Sequence, residues 1–197
     1  MSCVMLWGDA EAAGGGAALA TCVSVRPRSQ PLLYSAQANP ASAEAQRDVA
    51  VNLDRLGDVA WEAGDLAGAQ ARYEEDVVIF RKLAQVNPTS AEAQRDVSIA
   101  LNKFGDMAWQ AGDQTGARAR YKESLSIRRK LAQANPTSAQ AQRDLLRSLV
   151  RLGETTGDGT LLREALVIGR ALDHDGRLES GDRGLLDRIT KAIDGVP

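Results

Sequence analysis

The chain is poor in cysteine and histidine, and each shortage excludes a class of protein. Its two cysteines, Cys3 and Cys22, both lie near the N-terminus, which excludes a disulfide framework and makes a reducing cytoplasm the expected compartment. The one histidine, His174, has no second histidine with which to bind a metal ion. Its neighbours Asp173 and Asp175 are carboxylates, but side chains adjacent in sequence seldom bind the same ion. We therefore expect no metal site and interpret residues 173–176 as a solvated turn.

An excess of one charge and long apolar runs are also missing. The 24 basic and 26 acidic side chains give a net charge of −2, whereas a dedicated nucleic-acid binder is normally basic. No apolar run approaches the roughly 20 residues of a transmembrane helix. Residues 12–22 resemble a lipoprotein signal only faintly, because Asp9 and Glu11 precede them where positive charge is required. The sequence predicts a cytoplasmic protein with no nucleic-acid or membrane partner.

Aromatic residues are scarce, and alanine is abundant in their place. The chain has 32 alanines against eight aromatic residues. Alanine has the highest helix propensity, whereas β-branched and aromatic residues favour sheets. The composition therefore predicts an all-α protein whose helices pack closely through small side chains.

An internal repeat of 48 residues organises most of the chain. The dipeptide Asn-Pro begins at positions 39, 87 and 135, and residues 39–86 agree with residues 87–134 at 30 of 48 positions without a gap. A third unit follows the same pattern as far as Gly153 and then diverges. Self-similarity at a fixed period is the signature of a repeat architecture.

Each unit has the pattern of two helices joined by Gly-Asp. In the second unit, Thr89 and Glu92 form a capping-box signature at the start of the first helix. Gly112 ends that helix because the residue after a helix often has positive φ, and Asp113 caps the next one. A single hairpin cannot bury both faces, so successive hairpins are expected to stack into a solenoid. Apolar residues at steps of three and four mark the two buried faces: Val97, Leu101, Phe104, Ala108 and Ala111, then Ala117, Tyr121, Leu125, Ile127 and Leu131.

The order of small and large residues in each unit carries a family resemblance. Leu53, Leu56, Gly57, Ala69 and Tyr73 form the pattern in the first unit. The second unit repeats it, and the third unit matches it more weakly. This pattern resembles the tetratricopeptide repeat, in the long-helix variety of kinesin light chain and bacterial arrays. Gly57 and Ala69 are expected to let the two helix backbones approach closely. The resemblance covers residues 39–172 and implies a right-handed superhelical solenoid of antiparallel hairpins, with the first helix of each hairpin lining a concave groove.

These observations divide the chain into six segments. Residues 1–30 have no period and are predicted to be disordered, and residues 31–38 are predicted to be the remnant of a helix. Repeats are predicted at residues 39–86 and 87–134, and a divergent repeat at residues 135–172. The last segment, residues 173–197, is predicted to contain a loop and a capping helix that begins at Asp182 and buries Leu185, Leu186, Ile189 and Ile193.

Steps of three and four residues along the first helix of each unit select the face that the resemblance places in the groove. Stacking is expected to align Asp58, Asp106 and Glu154 in one row of carboxylates, and Arg47, Arg95 and Arg143 in a row of arginines. Two tryptophans stand one turn beyond the first two carboxylates. The predicted groove residues are Arg47, Asp54, Asp58, Trp61, Arg95, Asn102, Asp106, Trp109, Arg143, Arg147 and Glu154.

Two interpretations of the charged rows are open. Carboxylates on a groove can bind Lys, Arg or the backbone N–H groups of an extended peptide. Alternatively, Arg and Asp of neighbouring units pair with each other and determine how the units stack. Chaperone-binding family members grip a terminal carboxylate with Lys, Arg and Asn, and the acidic Asp54 and Asp58 argue against such a ligand here. For the tryptophans, packing against the next hairpin is favoured over anchoring a peptide.

The sequence therefore predicts a non-catalytic scaffold that binds a protein or peptide segment on the concave face of a tetratricopeptide-like array. It contains no acid–base constellation for an enzyme and no motif for a cofactor. Two alternatives are open. One is a module that self-associates through an unpaired N-terminal edge, and the other is a sensor or regulatory arm of a larger bacterial signalling protein.

Overall fold

The structure, a computed structural model, describes residues 42–194. This part of the chain is all α-helical and contains no strand, which confirms the fold class expected from composition. The predictions for residues 1–30 and 31–38 concern a part of the chain outside the described residues. The seven helices are α1 (Ala43–Glu62), α2 (Leu66–Val86), α3 (Ala91–Gln110), α4 (Gln114–Ala134), α5 (Ala139–Thr156), α6 (Gly159–His174) and α7 (Ser180–Asp194).

A serine begins the first helix of each repeat. Ser42, Ser90 and Ser138 have extended backbones, and each side chain accepts the backbone N–H three residues further on. This hydrogen bond satisfies one of the N–H groups that a helix start leaves without an intrahelical partner. The prediction that Thr89 caps α3 was wrong by one residue, because the cap is Ser90. The hydroxyl of Thr89 donates to the side chain of Asn87.

A glycine and an aspartate connect the two helices in each of the first two hairpins. Gly64 and Gly112 have φ angles of 79° and 85°, a left-handed conformation that costs glycine little. Asp65 and Asp113 cap the following helices by accepting the N–H three residues on. Both turn predictions are confirmed. The connections are short and each pair of helices packs together, so the two helices of a hairpin run antiparallel.

The helices form two layers. Each helix packs against the next one along the chain, while side-chain ion pairs join every second helix. Lys103 of α3 contacts Asp54 of α1, and further pairs join α3 to α5 and α5 to α7. On the other side, α2 is joined to α4 and α4 to α6. The described residues are therefore an all-α repeat fold with an odd-numbered layer (α1, α3, α5 and α7) and an even-numbered layer (α2, α4 and α6).

Two clusters of buried apolar side chains fill the space between the layers. The predicted inward residues of the second repeat are buried or half-buried, except that Ala111 is exposed in the turn. The first cluster is built around Tyr73, Val77, Phe80, Leu101 and Met107, and the second around Leu125, Leu146, Leu149, Leu162 and Ile189.

A glycine in the middle of α1 and another in the middle of α3 make room for an aromatic ring. A Cβ atom at Gly57 would lie 2.8 Å from the ring of Tyr73, closer than real Cβ contacts allow, and Gly105 stands in the same relation to Tyr121. The close approach that was expected between two backbones is therefore an approach between a backbone and a ring. It brings each tyrosine hydroxyl to the carboxylate that follows the glycine.

The last helix packs against α6 and ends the described array. Ile189 is fully buried and Leu185, Leu186 and Ile193 are half-buried, as the sequence predicts. Asp182 is not the cap, because the helix already begins at Ser180. Asp182 lies in the first turn, where it is buried against Arg147. Among the helices of residues 42–194, none has the length and apolar character needed to cross a membrane.

Candidate functional site

The predicted groove residues all lie on α1, α3 and α5 of the odd-numbered layer. Their arginines pair with buried carboxylates of the next repeat. Arg47 Nε lies 2.7 Å from Asp96, and Arg95 Nε lies 2.6 Å from Asp144. Both aspartates are buried, so each arginine compensates a charge that would be costly alone. The hydrogen bond to Asp96 raises the pKa of Arg47.

The arginines of the third repeat contact Glu179, which precedes α7, and Asp182 in the first turn of α7. Arg143 lies 2.9 Å from Glu179, and Arg147 contacts both Glu179 and Asp182 at 2.8 Å. The whole predicted arginine row therefore connects each unit to the one that follows it.

The first predicted carboxylate belongs to a hydrogen-bonded cluster. Asp58 accepts from the hydroxyl of Tyr73 at 2.6 Å and from Nζ of Lys103 at 2.8 Å, and the same ammonium contacts Asp54 at 2.7 Å. Burial alone would raise the pKa of Asp58, but the hydrogen bonds from Lys103 and Tyr73 outweigh it and lower that pKa. Burial and the bond to Asp58 raise the pKa of Tyr73.

The other two carboxylates also receive a cation from the unit that follows. Asp106 accepts from the hydroxyl of Tyr121 at 2.7 Å and contacts Arg151. Glu154 lies 3.0 Å from Arg188 of α7. Of the two interpretations left open by the sequence, pairing between units describes the contacts of these rows.

The two tryptophans differ in their surroundings. The ring of Trp61 meets that of Tyr73 edge-on at 6.4 Å, and its Nε1 donates to Gln110 at 3.0 Å. Trp109 is 36% exposed, and the third repeat has Gly157 at this position. Packing therefore accounts for Trp61, while Trp109 presents part of its ring at the surface.

Asn102 belongs to a buried polar network of the second repeat. Ser124 donates to the backbone carbonyl of Ser98 at 2.8 Å, and Arg128 donates to the hydroxyl of Ser98 at 3.1 Å and to the carbonyl of Asp144 at 2.9 Å. The amide of Asn102 completes the network when its oxygen faces Arg128 and its nitrogen faces Ser124. Burial lowers the pKa of Arg128 to about 10.

The first repeat carries no such network at the same positions. They are occupied by Ala50, Asp54, Asp76 and Phe80. Asp76 is fully buried, and neither of its carboxyl oxygens has a hydrogen-bond partner within residues 42–194; the same holds for Oδ1 of Asp54. Burial, together with the nearby charge of Asp54, raises the pKa of Asp76 from 3.8 to about 8.

Several cavities border the odd-numbered layer, and two of them are each lined by three of the predicted groove residues. A cavity of about 240 Å³ between α1, α2 and α3 is lined by Asp54, Asp76, Arg47, Arg95, Asp96, Val51, Phe80, Ile99 and Ala100; we call it the Asp76 cavity. A second cavity of about 690 Å³ is lined by residues of α5 and α7 together with Asp106 and Tyr121. The predicted groove residues that line the two cavities are Arg47, Asp54, Arg95, Asp106, Arg147 and Glu154.

Two residues of this site, Asp76 and Lys103, were not predicted from the sequence. Comparison of the aligned repeats carried a signal for both. Lys103 stands at the position of Arg55 and Arg151, so every repeat has a cation there. Asp76 aligns with Ser124 of the next repeat, and it is an acidic residue on an otherwise apolar face of its helix.

Neither a search for metal-binding groups among the described residues nor comparison with known proteins identifies a ligand for this site. Within residues 42–194, no three His, Cys, Asp or Glu side chains are placed to hold one metal ion, and His174 ends α6 with an exposed side chain. No protein-family model matches the chain, and no curated protein matches it either. The tetratricopeptide resemblance therefore rests on the residues of the sequence.

Proposed function

We propose that this chain is a non-catalytic interaction scaffold of the tetratricopeptide type. Its odd-numbered helices line the concave face of a right-handed superhelix and hold a protein or peptide segment there. Three hairpins with a period of 48 residues support the proposal, as do the glycine–tyrosine contacts at Gly57 and Gly105. Stacked helix pairs of this kind present an extended surface to a ligand.

The observation that carries the proposal is the position of the two cavities. Both are lined by predicted groove residues. The ion pairs of the rows join neighbouring units, yet the side chains of Arg47 and Glu154 remain 44% and 38% exposed beside the cavities. A peptide crossing this layer would find polar groups to orient it and depressions to accept its side chains.

A peptide-display selection with a matched pair of charge reversals tests the proposal. Glu154→Lys changes the odd-numbered layer and breaks one exposed ion pair, with Arg188. Glu164→Lys makes the same charge change in the even-numbered layer and breaks one comparable pair, with Arg129. Peptides selected on the full chain should bind Glu154→Lys at least about tenfold more weakly, by calorimetry, and bind Glu164→Lys within about twofold of the parent.

The opposite pattern would contradict the proposal. If Glu164→Lys weakens binding and Glu154→Lys does not, the even-numbered layer is the ligand surface. If the selection yields no binding peptide at all, the chain is not a peptide scaffold.

Self-association is a second candidate, favoured by one observation. Leu56 and Val59 lie one turn apart on α1 and are 52% and 62% exposed, which leaves apolar surface on the first described helix. Cover by a second copy would remove it from water. Light scattering over a range of concentrations tests this candidate, and a monomer at high concentration rules it out. The alternative of a regulatory arm in a larger bacterial protein rests on the resemblance alone.

A further inference from the structure

The Asp76 cavity contains acceptor groups that the fold itself does not use. Asp76 is fully buried without a hydrogen-bond partner inside residues 42–194, and Oδ1 of Asp54 shares that condition. Both residues line the same cavity. A buried polar group without a partner costs free energy, so the three acceptor oxygens require a partner from outside residues 42–194.

The second repeat shows that the fold does not need a carboxylate here. Ser124 occupies the equivalent position and donates to a backbone carbonyl at 2.8 Å. The hairpin that contains it has the same length, the same caps and the same Gly–Tyr contact as the first. At this position the fold is therefore satisfied by a serine hydroxyl, and the first repeat differs by having the carboxyl group of Asp76.

We infer that the Asp76 cavity receives the ammonium end of a lysine side chain from the peptide held on the odd-numbered layer. This inference rests on the proposed function. An ammonium group has three N–H donors, and the cavity-lining residues Asp76 and Asp54 have three buried acceptor oxygens without a partner, two on Asp76 and one on Asp54. Val51, Phe80 and Ile99 line the same cavity and suit the four-carbon stem of lysine.

The size and the entrance of the cavity fit this ligand. Its volume of about 240 Å³ far exceeds the roughly 10–15 Å³ that one water molecule requires. Arg47 and Arg95 of the odd-numbered layer also line it and are partly exposed, so we infer that a ligand enters from this layer. Their charges are offset by ion pairs with Asp96 and Asp144, so they do not repel an entering cation as free guanidinium groups would.

Binding of the ammonium is expected to release a proton. Asp76 faces Asp54 and Asp58 from α1, and Asp96 and Lys103 from α3; burial and the three aspartates raise its pKa, while Lys103 lowers it. The carboxyl group is therefore protonated below about pH 8, and the entering cation favours its ionised form. Affinity for the ammonium should rise with pH up to that value, by at most about tenfold per pH unit.

The test uses two probes on the full chain. The first is n-butylammonium, which is the lysine side chain without its backbone, and the second is a lysine-containing peptide from the display selection. Both should bind at about pH 8. Uncharged n-butanol should not bind, and replacement of the peptide lysine by norleucine should cost about tenfold or more in affinity.

Two variants locate the effect. Asp76→Ser installs the residue of the second repeat and should weaken both probes by about tenfold or more and abolish the rise with pH. Glu75→Ser removes the neighbouring exposed acid and should leave both affinities within about twofold. Circular dichroism of both variants checks that they are folded, and the norleucine peptide tests the inference on the unmodified chain.

The outcomes separate this inference from the proposed function. Peptides that bind in a Glu154-dependent way but tolerate norleucine and Asp76→Ser overturn the lysine cavity and leave the scaffold standing. Asp76-dependent binding of butylammonium without any peptide binding supports the ammonium site but overturns the peptide as its source. Binding of neither probe overturns both.

Discussion

Asp76 and Ser124 stand at the same position of successive repeats and differ in how burial affects them. The serine hydroxyl donates to a carbonyl within reach. The carboxyl group of Asp76 is buried against the apolar first cluster and near Asp54, so its neutral form is favoured and its pKa is raised to about 8. At this position a single residue couples the folding of the chain to protonation.

Replacement of Asp76 by serine is predicted to remove a pH dependence of stability. The folded-state pKa of about 8 lies above the ordinary 3.8, so between these values the unfolded chain releases a proton that the folded chain keeps. Stability of the parent therefore falls as pH rises, by up to about 1.4 kcal/mol per pH unit. The difference in unfolding free energy between Asp76→Ser and the parent should grow in favour of the variant from about pH 5 to about pH 8, as measured by urea denaturation.

Glu75→Ser serves as the control for this prediction. It removes an acid from the adjacent, exposed position, where solvent screens the charge. Its difference from the parent should stay nearly constant with pH. A difference for Asp76→Ser that is equally flat would show that Asp76 is ionised in the folded protein.

Among the charged rows, the sequence predicts position but not partner. The 48-residue period and the helical steps place Arg47, Asp58 and their equivalents on one face, and the structure has them in the odd-numbered layer. Which group each side chain meets depends on how neighbouring helices are rotated and spaced. Lys103 reaches Asp54 and Asp58 across that spacing, and no periodicity within one helix contains this information.

For the helices as elements, local hydrogen bonds determine the residue at which each helix begins. The sequence predicts that residue to within one position. Serine at the cap position leaves Thr89 one residue outside the helix. Both residues have a hydroxyl and both precede an acidic residue by two or three positions, so the motif alone does not separate them. The backbone conformation of Ser90, with ψ at 110°, decides it.

Removal of the two hydroxyl groups in turn should distinguish these residues. Ser90→Ala is predicted to lower the unfolding free energy by about 1 kcal/mol, because the N–H of Ala93 loses its acceptor. Thr89→Ala should cost less than about 0.5 kcal/mol, because its exposed hydroxyl meets only another side chain. Urea denaturation of the two variants gives the comparison. A larger loss for Thr89→Ala would restore the capping box that the sequence first indicated.

At the scale of the molecule, the described residues 42–194 divide their buried apolar side chains between two clusters. Val77 belongs to the first, with Tyr73 and Leu101, and Ile189 belongs to the second, with Leu146 and Leu149. Repeat arrays hold together through contacts between neighbours, and parts of them can open without the rest. Damage to one cluster should therefore be felt mainly in the helices that build it.

Ile189→Ala is predicted to destabilise the C-terminal end in preference to the N-terminal end. Loss of a fully buried isoleucine typically costs about 2–5 kcal/mol. Amide hydrogen exchange should accelerate in α5, α6 and α7 and change little in α1 and α2. Val77→Ala should show the reverse distribution. Equal acceleration throughout in both variants would mean that the array unfolds as one cooperative unit.

The sequence by itself determined the all-α class, the 48-residue unit and the turns at Gly64 and Gly112 of this protein. Helix propensity and the preference of glycine for positive φ depend on a few neighbouring residues, and the repeat is visible by comparing the sequence with itself. The sequence also placed the charged rows on one layer. Only the tertiary structure decided that the rows pair between repeats, that Gly57 accepts the ring of Tyr73, and that Asp76 is buried beside a cavity. These features depend on which surfaces of distant helices meet, and burial and the partners of a charge exist only after that packing is formed.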